Sequence, residues 1–464
     1  MTPDEFRVFG HALVDWIAEY RSSLPQLRVM SDCKPGEIRA LLPPEPPSEP
    51  EPVESLFADL RRVILPGITH WSHPRFFAYF PANSSLPAVL ADLVASGLGA
   101  QCMSWQTSPA ATELEEVMMD WLRQMVGLPQ NFVGALQDTA STATLVALIC
   151  ARERAGKLSS TRPMTVYASE QANSSVEKGV RLAGFGPTNL QLIETDREFA
   201  LVPHKLEEAI SADVAAGKWP AAVVATVGTT ATVAVDPVHA IAQIAADHRM
   251  WLHVDAAMAG SAMLLPECRP LWRGVEQADS LVFNPHKWLG ATFDCSAYYV
   301  RDPAQLVQVM ATHPSYLKTQ QDQLVKNFRD WGIPLGRRFR ALKLWFLIRE
   351  QGVRALQARL RRDLANARWL AEQVDGSPEW ERVAPVLFQT VSLRHRPAGL
   401  EGERLNVHNQ SLADRVNRSG AAYLTTSVVG GTLIVRVSIG SEATEREDVA
   451  AVWSLLNREA KALL

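Results

Sequence analysis

Lys287 and Asp255 are the residues of this sequence whose types and surroundings point most directly to chemistry. Lys287 stands in the stretch NPHKW (284–288) after an apolar run, and Asp255 stands in the stretch HVDAA (253–257). A lysine amine can form a Schiff base with an aldehyde, and a carboxylate can hold a pyridine nitrogen in its protonated form. Because both groups follow runs typical of buried strands, they predict a binding site for pyridoxal 5'-phosphate (PLP).

Both residues also have ordinary interpretations. Asp255 could be a turn residue, or could bind a metal together with His253, since residues two apart on a strand share a face. No third ligand at a suitable spacing is evident. Lys287 could be a surface lysine, although the apolar run before it and the residues Trp288 and Leu289 after it favour burial. The PLP interpretation therefore also requires a phosphate site.

Three short stretches could supply that phosphate site. One opens a helical run, where a helix N-terminus presents unpaired N–H groups, although on its own it would be interpreted as a helix cap. The other two follow apolar runs, and ligands of parallel sheets lie beyond the carboxyl ends of the strands. We therefore expect the three stretches to converge on one anion. Their residues are Thr139, Ala140, Ser141, Thr230, Asn284 and His286.

The elements that must position these residues alternate along the chain. Helical patterns alternate with short β-rich runs between about residues 86 and 350, which predicts an α/β fold with a mostly parallel central sheet. After Gly352, a long arginine-rich helix and shorter strands predict a small C-terminal α+β domain. The β-rich runs are 164–167, 222–227, 251–254, 280–283, 296–300, 388–393 and 433–438.

The N-terminal part of the chain is different in character. Residues 4–22 place apolar side chains three and four positions apart, and this helical stripe needs a partner in its own domain or in another subunit. The proline-rich stretch 42–52 predicts an extended linker. We therefore expect an N-terminal helical, dimer-swapped segment at 1–85, a large PLP-binding domain at 86–350 and a small domain at 351–464.

The composition limits the classes of partner. The 464 residues carry a formal net charge of -4 with both signs interspersed, which provides neither a basic stripe for nucleic acid nor a polybasic segment for a membrane. Five scattered cysteines without paired or metal-like spacing fit a reducing cytoplasm. Neither a signal peptide nor an apolar run of ~20 residues is evident. We expect a cytoplasmic protein with a small-molecule substrate and no bound metal.

Together, these stretches resemble those of the PLP-dependent group II amino-acid decarboxylases, most closely the aromatic-L-amino-acid decarboxylases and the related aromatic aldehyde synthases. The likeness covers nearly the whole chain. It implies a PLP-dependent type I aminotransferase-like fold and a homodimer with its active sites at the subunit interface. The stretches that carry it are 73–81, 108–115, 253–257, 284–288 and 333–340.

The resemblance also implies roles for individual residues. Lys287 would hold the cofactor covalently, Asp255 would pair with its pyridine nitrogen, and Ala257 would touch its ring. An aromatic-rich apolar stretch is more often part of an ordinary core, so its role in specificity rests mainly on the resemblance, and Arg436 could be a structural arginine. Two of the implied substrate-binding residues, Gln101 and Met103, would come from the other subunit. The residues implied around an aromatic substrate are Trp71, Tyr79, Phe80, Pro81, Gln101, Met103 and Arg436.

Two residues depart from the family pattern, and both affect proton transfer. Asn173 stands where the family typically has a histidine stacked on the cofactor ring, and Phe328 stands where a loop tyrosine typically supplies a proton to the substrate carbon. Neither replacement can act as an acid near neutral pH. In the family, each is associated with aldehyde-synthase branches. We therefore expect decarboxylation coupled to O2-dependent oxidative deamination, which yields an aromatic acetaldehyde, CO2, NH3 and H2O2.

Three other functions stay open. A simple aromatic-L-amino-acid decarboxylase would release the arylalkylamine if water or another loop residue supplied the proton. An aminotransferase would use Lys287 to move a proton between substrate and cofactor. A non-catalytic PLP-binding protein would bind the cofactor without turnover.

The segment at about 313–332, which contains Phe328, is predicted to be a lid. It is polar around 318–323. Lids of this kind exclude water and complete an active site when substrate binds.

Overall fold

The computed structural model describes residues 1–158, 162–312 and 324–464. The chain forms two compact units. The first comprises Met1–Pro81, Glu372–Glu381 and Leu393–Leu464, and the second comprises Ala82–Ala371 and Arg382–Ser392. The three-part division predicted from the sequence stays a prediction, because compactness within one chain does not test which parts fold independently.

Eleven strands form two sheets in the described residues. Those of the larger sheet are β1 (Val133–Gln137), β2 (Met164–Ser169), β3 (Leu190–Ile193), β4 (Trp219–Thr226), β5 (Trp251–Asp255), β6 (Ser280–Phe283) and β7 (Ser296–Val300). Those of the smaller sheet are β8 (Trp380–Arg382), β9 (Thr390–His395), β10 (Thr425–Val429) and β11 (Thr432–Ser438).

The larger sheet lies in the second unit and has the order β1-β7-β6-β5-β4-β2-β3. The run from β6 to β3 is parallel, whereas β7 is antiparallel to both of its neighbours. The mostly parallel central sheet predicted from the sequence is therefore confirmed. The smaller sheet has the order β10-β11-β9-β8, which agrees with the predicted C-terminal α+β character.

The central strands explain why the sequence contains continuous apolar runs. Every residue of β5, β6 and β7 is buried, and so is every residue of β4 except the first. A strand buried on both faces does not alternate between apolar and polar side chains. In the register of these strands, Thr226 pairs with Asp255 and Asp255 pairs with Val282. The carboxyl ends of β4, β5 and β6 therefore meet at one edge.

Thirteen α-helices occur in the described residues. They are α1 (Pro3–Ser23), α2 (Glu37–Leu41), α3 (Val53–Asp59), α4 (Leu86–Leu98), α5 (Pro109–Val126), α6 (Ala140–Leu158), α7 (Ser174–Leu182), α8 (Pro203–Ala215), α9 (Val238–Asp247), α10 (Pro303–Met310), α11 (Arg340–Asp375), α12 (Gly402–Ser419) and α13 (Arg446–Lys461). The long helix α11 is interrupted at Gly352, whose φ of 73° is unfavourable for residues with a Cβ. None of the described helices is long and apolar enough to cross a membrane.

The N-terminal helix predicted at 4–22 is confirmed as α1. Its start is capped by Thr2, whose hydroxyl accepts a hydrogen bond from the Glu5 N–H, while the Glu5 carboxylate accepts one from the Thr2 N–H. This reciprocal pair satisfies two N–H groups that the helix cannot bond internally. No residue of α1 is buried in the chain by itself, so its apolar stripe has no extensive cover there.

Candidate active site

Asp255 ends β5 and is only 4% exposed. Its carboxylate accepts a hydrogen bond from the Ala257 N–H at 3.0 Å, and it receives no other from the described residues. Burial raises the pKa of this carboxyl group, while the Ala257 hydrogen bond and the positive charge of Lys287 act in the opposite direction. Asp255 is therefore a buried acceptor, close to a cation, with an oxygen available for a further N–H group.

Lys287 lies in a single helical turn, Pro285–Leu289, that follows β6. Its N–H donates to the Asn284 carbonyl at 3.0 Å, and its carbonyl accepts from the Asn83 side-chain amide at 2.9 Å. The next residue, Trp288, is fully buried, whereas Lys287 is half-buried. The backbone of Lys287 is thus fixed at the sheet edge where Asp255 also lies.

Asn284 and His286, the residues before and after Pro285 in the chain, are both buried. The Ser296 hydroxyl donates to Asn284 Oδ1 at 2.5 Å, and the Cys295 N–H donates to His286 Nδ1 at 2.9 Å. Burial, followed by the charge of Lys287, lowers the pKa of His286 to about 4, so its ring is neutral at physiological pH. Both side chains are therefore held in one orientation beside Lys287.

Thr139, Ala140 and Ser141 lie where β1 leads into α6. The Thr139 N–H donates to Asp138 Oδ1 at 2.6 Å, and the Thr142 N–H donates to the Thr139 hydroxyl at 3.4 Å. These are the hydrogen bonds of a helix cap. The following N–H groups belong to the first turn of a 19-residue helix, where an anion is favoured.

Asn173 and Thr230 bring together the loops that follow β2 and β4. The Asn173 amide nitrogen donates to the Thr230 hydroxyl at 3.0 Å, and its oxygen accepts from the Ser175 N–H at 2.9 Å to cap α7. Both Asn173 and Thr230 are exposed, whereas Ala257, which follows Asp255, is half-buried. The structure thus connects two of the loops predicted to surround a cofactor.

His253 precedes Asp255 by two residues, but both of its ring nitrogens contact hydroxyl groups. Nδ1 lies 2.9 Å from the Ser280 hydroxyl, and Nε2 lies 3.2 Å from the Thr144 hydroxyl. Burial lowers its pKa to about 3. No group of three or more metal-binding side chains occurs among the described residues. We therefore interpret His253 as a neutral residue that anchors β5.

Trp71 and Tyr79 form an aromatic surface in the first unit. Their rings stack 5.5 Å apart and are 39% and 48% exposed. Tyr79 has a φ of 50°, which costs free energy in any residue other than glycine, and its N–H donates to the Thr425 hydroxyl at 3.2 Å. A strained, exposed aromatic pair is better explained by contact with a ligand or partner than by core packing.

Arg436 lies beside the same surface. Its guanidinium donates to the Thr425 hydroxyl at 3.0 Å and to the Tyr79 carbonyl at 3.2 Å, and it lies 5.2 Å from the centre of the Phe80 ring. Burial lowers its pKa to about 10, so it stays charged at neutral pH. Arg436, Phe80 and the adjacent Pro81 are buried, and Arg436 holds the backbone that positions Tyr79.

The segment that contains Phe328 lies next to Gln101 and Met103. The Met103 carbonyl accepts from the Arg329 N–H at 2.8 Å, and Gln101 Oε1 accepts from the Arg337 N–H at 2.7 Å. Phe328 itself is 1% exposed. These three predicted site residues therefore form one local group in the second unit. Residues 313–323 of the predicted lid lie outside the described residues.

The Phe328 ring packs between other side chains of that segment. The Arg337 guanidinium lies 4.8 Å from its centre, and the Trp331 ring lies 5.8 Å away. Arg337 in turn forms a buried ion pair with Glu115 at 2.7 Å. Phe328 thus packs against an indole ring and a buried ion pair.

Two residues of these groups were missed in the sequence. Asn83 supports the Lys287 backbone, and the Tyr423 hydroxyl lies 3.3 Å from the Tyr79 hydroxyl. Neither stands in a periodic pattern or a spaced motif, and each is distant in sequence from its partner. Only the folded chain brings these pairs together.

The donors and acceptors at the edge of the larger sheet fit PLP. The available oxygen of Asp255 suits a protonated ring nitrogen, and Lys287 suits an aldehyde. Thr139, Asn284 and the first turn of α6 supply neutral donors of the kind that bind phosphate. Lys287, Asp255 and these donors lie at or just beyond strand ends on one edge, where the ligands of such sheets bind.

Comparison with known proteins agrees with this fit. The family model described as "Pyridoxal-dependent decarboxylase conserved domain" matches residues 35–396. The chain belongs to this family. It is a PLP-dependent carboxy-lyase, and the recognition made from its sequence motifs is confirmed.

Relatives of this decarboxylase align over its whole length. It is 40% identical to "Phenylacetaldehyde synthase" of Arabidopsis thaliana, with 100% of the chain and 97% of that protein covered. It is also 40% identical to "Tryptophan decarboxylase 2" of Oryza sativa subsp. japonica, with coverages of 100% and 96%.

A solved structure of Oryza sativa TDC with PLP and tryptamine matches with a TM-score of 0.98 at 39% identity, covering 100% of this chain and 99% of that one. The predicted fold and cofactor are therefore confirmed. The individual site residues stay predictions that rest on the geometry above.

Proposed function

We propose that this decarboxylase converts an aromatic L-amino acid, O2 and water into the aromatic acetaldehyde, CO2, NH3 and H2O2. The observation that carries the proposal is the pair of residues at the predicted proton-transfer positions, Asn173 and Phe328, neither of which can donate a proton near neutral pH. The Arabidopsis relative named phenylacetaldehyde synthase supports it.

The fate of the reacting carbon depends on the residues around it. When PLP is held by Lys287 and Asp255, it would supply an electron sink for the α-carbon as CO2 leaves. Phe328 has no proton to donate to this carbon, and the Asn173 amide is already bonded to Thr230 and Ser175. Without a prompt proton, the carbon can instead lose two electrons to O2, which becomes H2O2, and water then releases NH3 and the aldehyde.

An aromatic substrate is supported by the surface of the first unit. Trp71 and Tyr79 expose stacked rings, and Tyr423 packs edge-on against Tyr79. Flat aromatic side chains favour the ring of an aromatic amino acid through offset and edge-on contacts.

The test is a product assay on purified, PLP-loaded enzyme with phenylalanine, tyrosine, its catechol analogue and tryptophan. Amine, aldehyde, O2 uptake and H2O2 are measured together. We expect aldehyde, O2 consumption and H2O2 in equal amounts. Amine formed without O2 uptake would contradict the oxidative reaction and leave a simple decarboxylase, which the 40% identity to a tryptophan decarboxylase favours.

The variants Asn173→His and Phe328→Tyr are expected to move the product from aldehyde toward amine. Each restores a group that can hold or move a proton, and general acid catalysis contributes about 10²–10⁴-fold to a proton-transfer step. The measurement is the ratio of amine to aldehyde for both single variants and the double variant. Because Phe328 is buried, thermal unfolding of Phe328→Tyr serves as the control for folding. An unchanged ratio in a folded double variant would show that these positions do not control the product.

We also propose that the enzyme is a homodimer. Helix α1 exposes Phe6, which lies on one face with the partly buried Phe9 and Leu13, and α4 exposes Leu90, Leu93 and Leu98; Phe6 and the three leucines are each more than 40% accessible. Apolar faces of this kind mark protein interfaces. Sedimentation analysis should give twice the chain mass of 51.2 kDa. The variant Phe6→Glu, which places a charge on the apolar face of α1, should weaken association. A single-chain mass at micromolar concentration would contradict the proposal.

A further inference from the structure

A cavity of about 530 Å³ lies in the first unit and contains none of the residues predicted to bind cofactor or substrate. Its volume is within the range of small-molecule sites, about 300–1,000 Å³. Its lining is mainly charged and amide side chains, so it suits a small polar molecule. The charged and amide lining residues are Glu381, Arg394, Arg396, Glu401, Glu403 and Asn406.

Arg394, on β9, is a buried cation that forms no salt bridge with the described residues: burial lowers its pKa, and the charge of Glu381, which also lines the cavity, acts in the opposite direction. It is 8% exposed, and its guanidinium makes one long hydrogen bond, 3.4 Å, to Asn406 Oδ1. Its Nε is buried and has no hydrogen-bond partner. A guanidinium has five N–H donors, and leaving a buried charge unpaired is costly. An anionic group in the cavity would provide the partner.

The N-terminus of α12 adds a second positive feature to the same cavity. This 18-residue helix begins at Gly402, and Glu401 at its N-cap makes no capping hydrogen bond with its side chain. Both residues line the cavity. The unpaired N–H groups of a first turn and the helix dipole favour an anion at this end.

The cavity also presents negative charge beside the arginine. The Asn406 amide nitrogen donates to Glu403 Oε2 at 3.2 Å, while its oxygen accepts from Arg394 and from the Leu433 N–H at 3.0 Å. One amide group therefore separates a cation from a carboxylate. An α-amino acid carries its carboxylate and ammonium on one carbon, which matches this spacing, whereas phosphate would meet repulsion from Glu401 and Glu403.

We propose that this cavity binds a small polar α-amino acid, with its carboxylate on Arg394 and the start of α12 and its ammonium on Glu403. Arg396 and Glu381, which also line the cavity, form an exposed ion pair with each other at 3.7 Å. This site goes beyond the proposed reaction, since its ligand would bind without contacting the cofactor.

The test uses holoenzyme treated with borohydride, in which the cofactor is attached irreversibly and cannot exchange with an added amine. Isothermal titration calorimetry with glycine and L-serine should show saturable binding. Acetate and methylamine, which each carry one of the two charges, should bind about tenfold more weakly or less, since a charge-assisted hydrogen bond is lost. No binding of either amino acid, or acetate binding as tightly as glycine, would overturn the proposal.

Three variants localise the binding. Arg394→Gln and Glu403→Gln should each weaken glycine binding about tenfold or more, because each removes one charged contact. Arg458→Gln is the control, because the exposed Arg458 forms an ion pair with Glu459 on α13 and does not line the cavity, and it should bind glycine like the unmodified chain. Unchanged affinity in Arg394→Gln would overturn the proposal. If that variant does not fold, unchanged affinity in Glu403→Gln, an exposed position, overturns it equally.

Discussion

Lys287→Ala is expected to abolish turnover and covalent attachment of PLP. The change removes the only side chain at the end of β6 that can form a Schiff base, while the Asn83 and Asn284 hydrogen bonds to the backbone of residue 287 are retained. Loss of a covalent catalytic group costs on the order of 10³–10⁶ in kcat. The measurements are the initial rate of CO2 release and the visible absorption of the purified protein.

Lys343 provides an internal control for this prediction. It is more buried than Lys287, but its ammonium pairs with Asp92 at 3.0 Å and donates to the Thr292 carbonyl at 3.2 Å. After borohydride reduction and proteolysis, we expect the cofactor mass on the peptide that contains Lys287 and none on the peptide that contains Lys343. Turnover retained by Lys287→Ala, or label on Lys343, would refute the assignment.

The sequence predicted the placement of Lys287 and Asp255 because simple patterns determine it. Both follow apolar runs that become buried strands, and alternation with helices makes those strands parallel. Parallel neighbours then bring their ends to one edge, as the pairing of Asp255 with Val282 confirms. Site residues that lie at strand ends can therefore be predicted from the pattern of apolar residues and from the order of helices and strands along the chain.

Other parts of the fold have weaker patterns. Strand β1 contains Gly134, where a Cβ would clash with the Tyr298 carbonyl. A glycine inside a strand weakens the apolar pattern from which strands are predicted. Strand β3 has four residues, of which only Ile193 is buried. Neither strand was among the predicted β-rich runs, because a short or glycine-containing strand at the edge of a sheet produces little periodic signal.

The residues that hold the site residues in place could not be predicted from the sequence either. Asn83 holds the Lys287 backbone, and Tyr423 completes the aromatic surface around Tyr79, through contacts between residues far apart in the chain. Such contacts arise from tertiary packing rather than local pattern. The roles of Asn173 and Phe328 came from resemblance to a family, since an asparagine and a phenylalanine have no catalytic pattern of their own.

Asp255→Asn is expected to lower kcat by about 10²–10³-fold, the usual effect of removing one electrostatic contact to a reacting system. Asparagine has the size of aspartate but no charge, so it cannot hold the cofactor's ring nitrogen in its protonated form. That proton allows the ring to accept electrons from the substrate. The measurement is kcat per cofactor-loaded active site.

Asp236→Asn is the matched control, since Asp236 is also a fully buried aspartate. It follows β4 and accepts hydrogen bonds from the N–H groups of Thr226 at 2.7 Å and Leu201 at 2.9 Å, and burial raises its pKa to about 6. Asparagine can satisfy only one of these donors in the same geometry, so this variant should lose about 1–3 kcal/mol of stability. Its kcat per folded, loaded enzyme should stay unchanged.

The variants of the two aspartates thus distinguish an effect on catalysis from an effect on folding. Burial raises the pKa of Asp255, so carrying its charge in the folded apoenzyme costs stability. This cost develops as the pH rises above the pKa of the unfolded chain and is complete above the raised pKa, and a neutral asparagine avoids it. Asp255→Asn apoenzyme should therefore unfold at a temperature no lower than that of the unmodified apoenzyme, despite its low kcat. Normal turnover in Asp255→Asn, or equal loss of kcat in both variants, would show that Asp255 only supports the sheet edge.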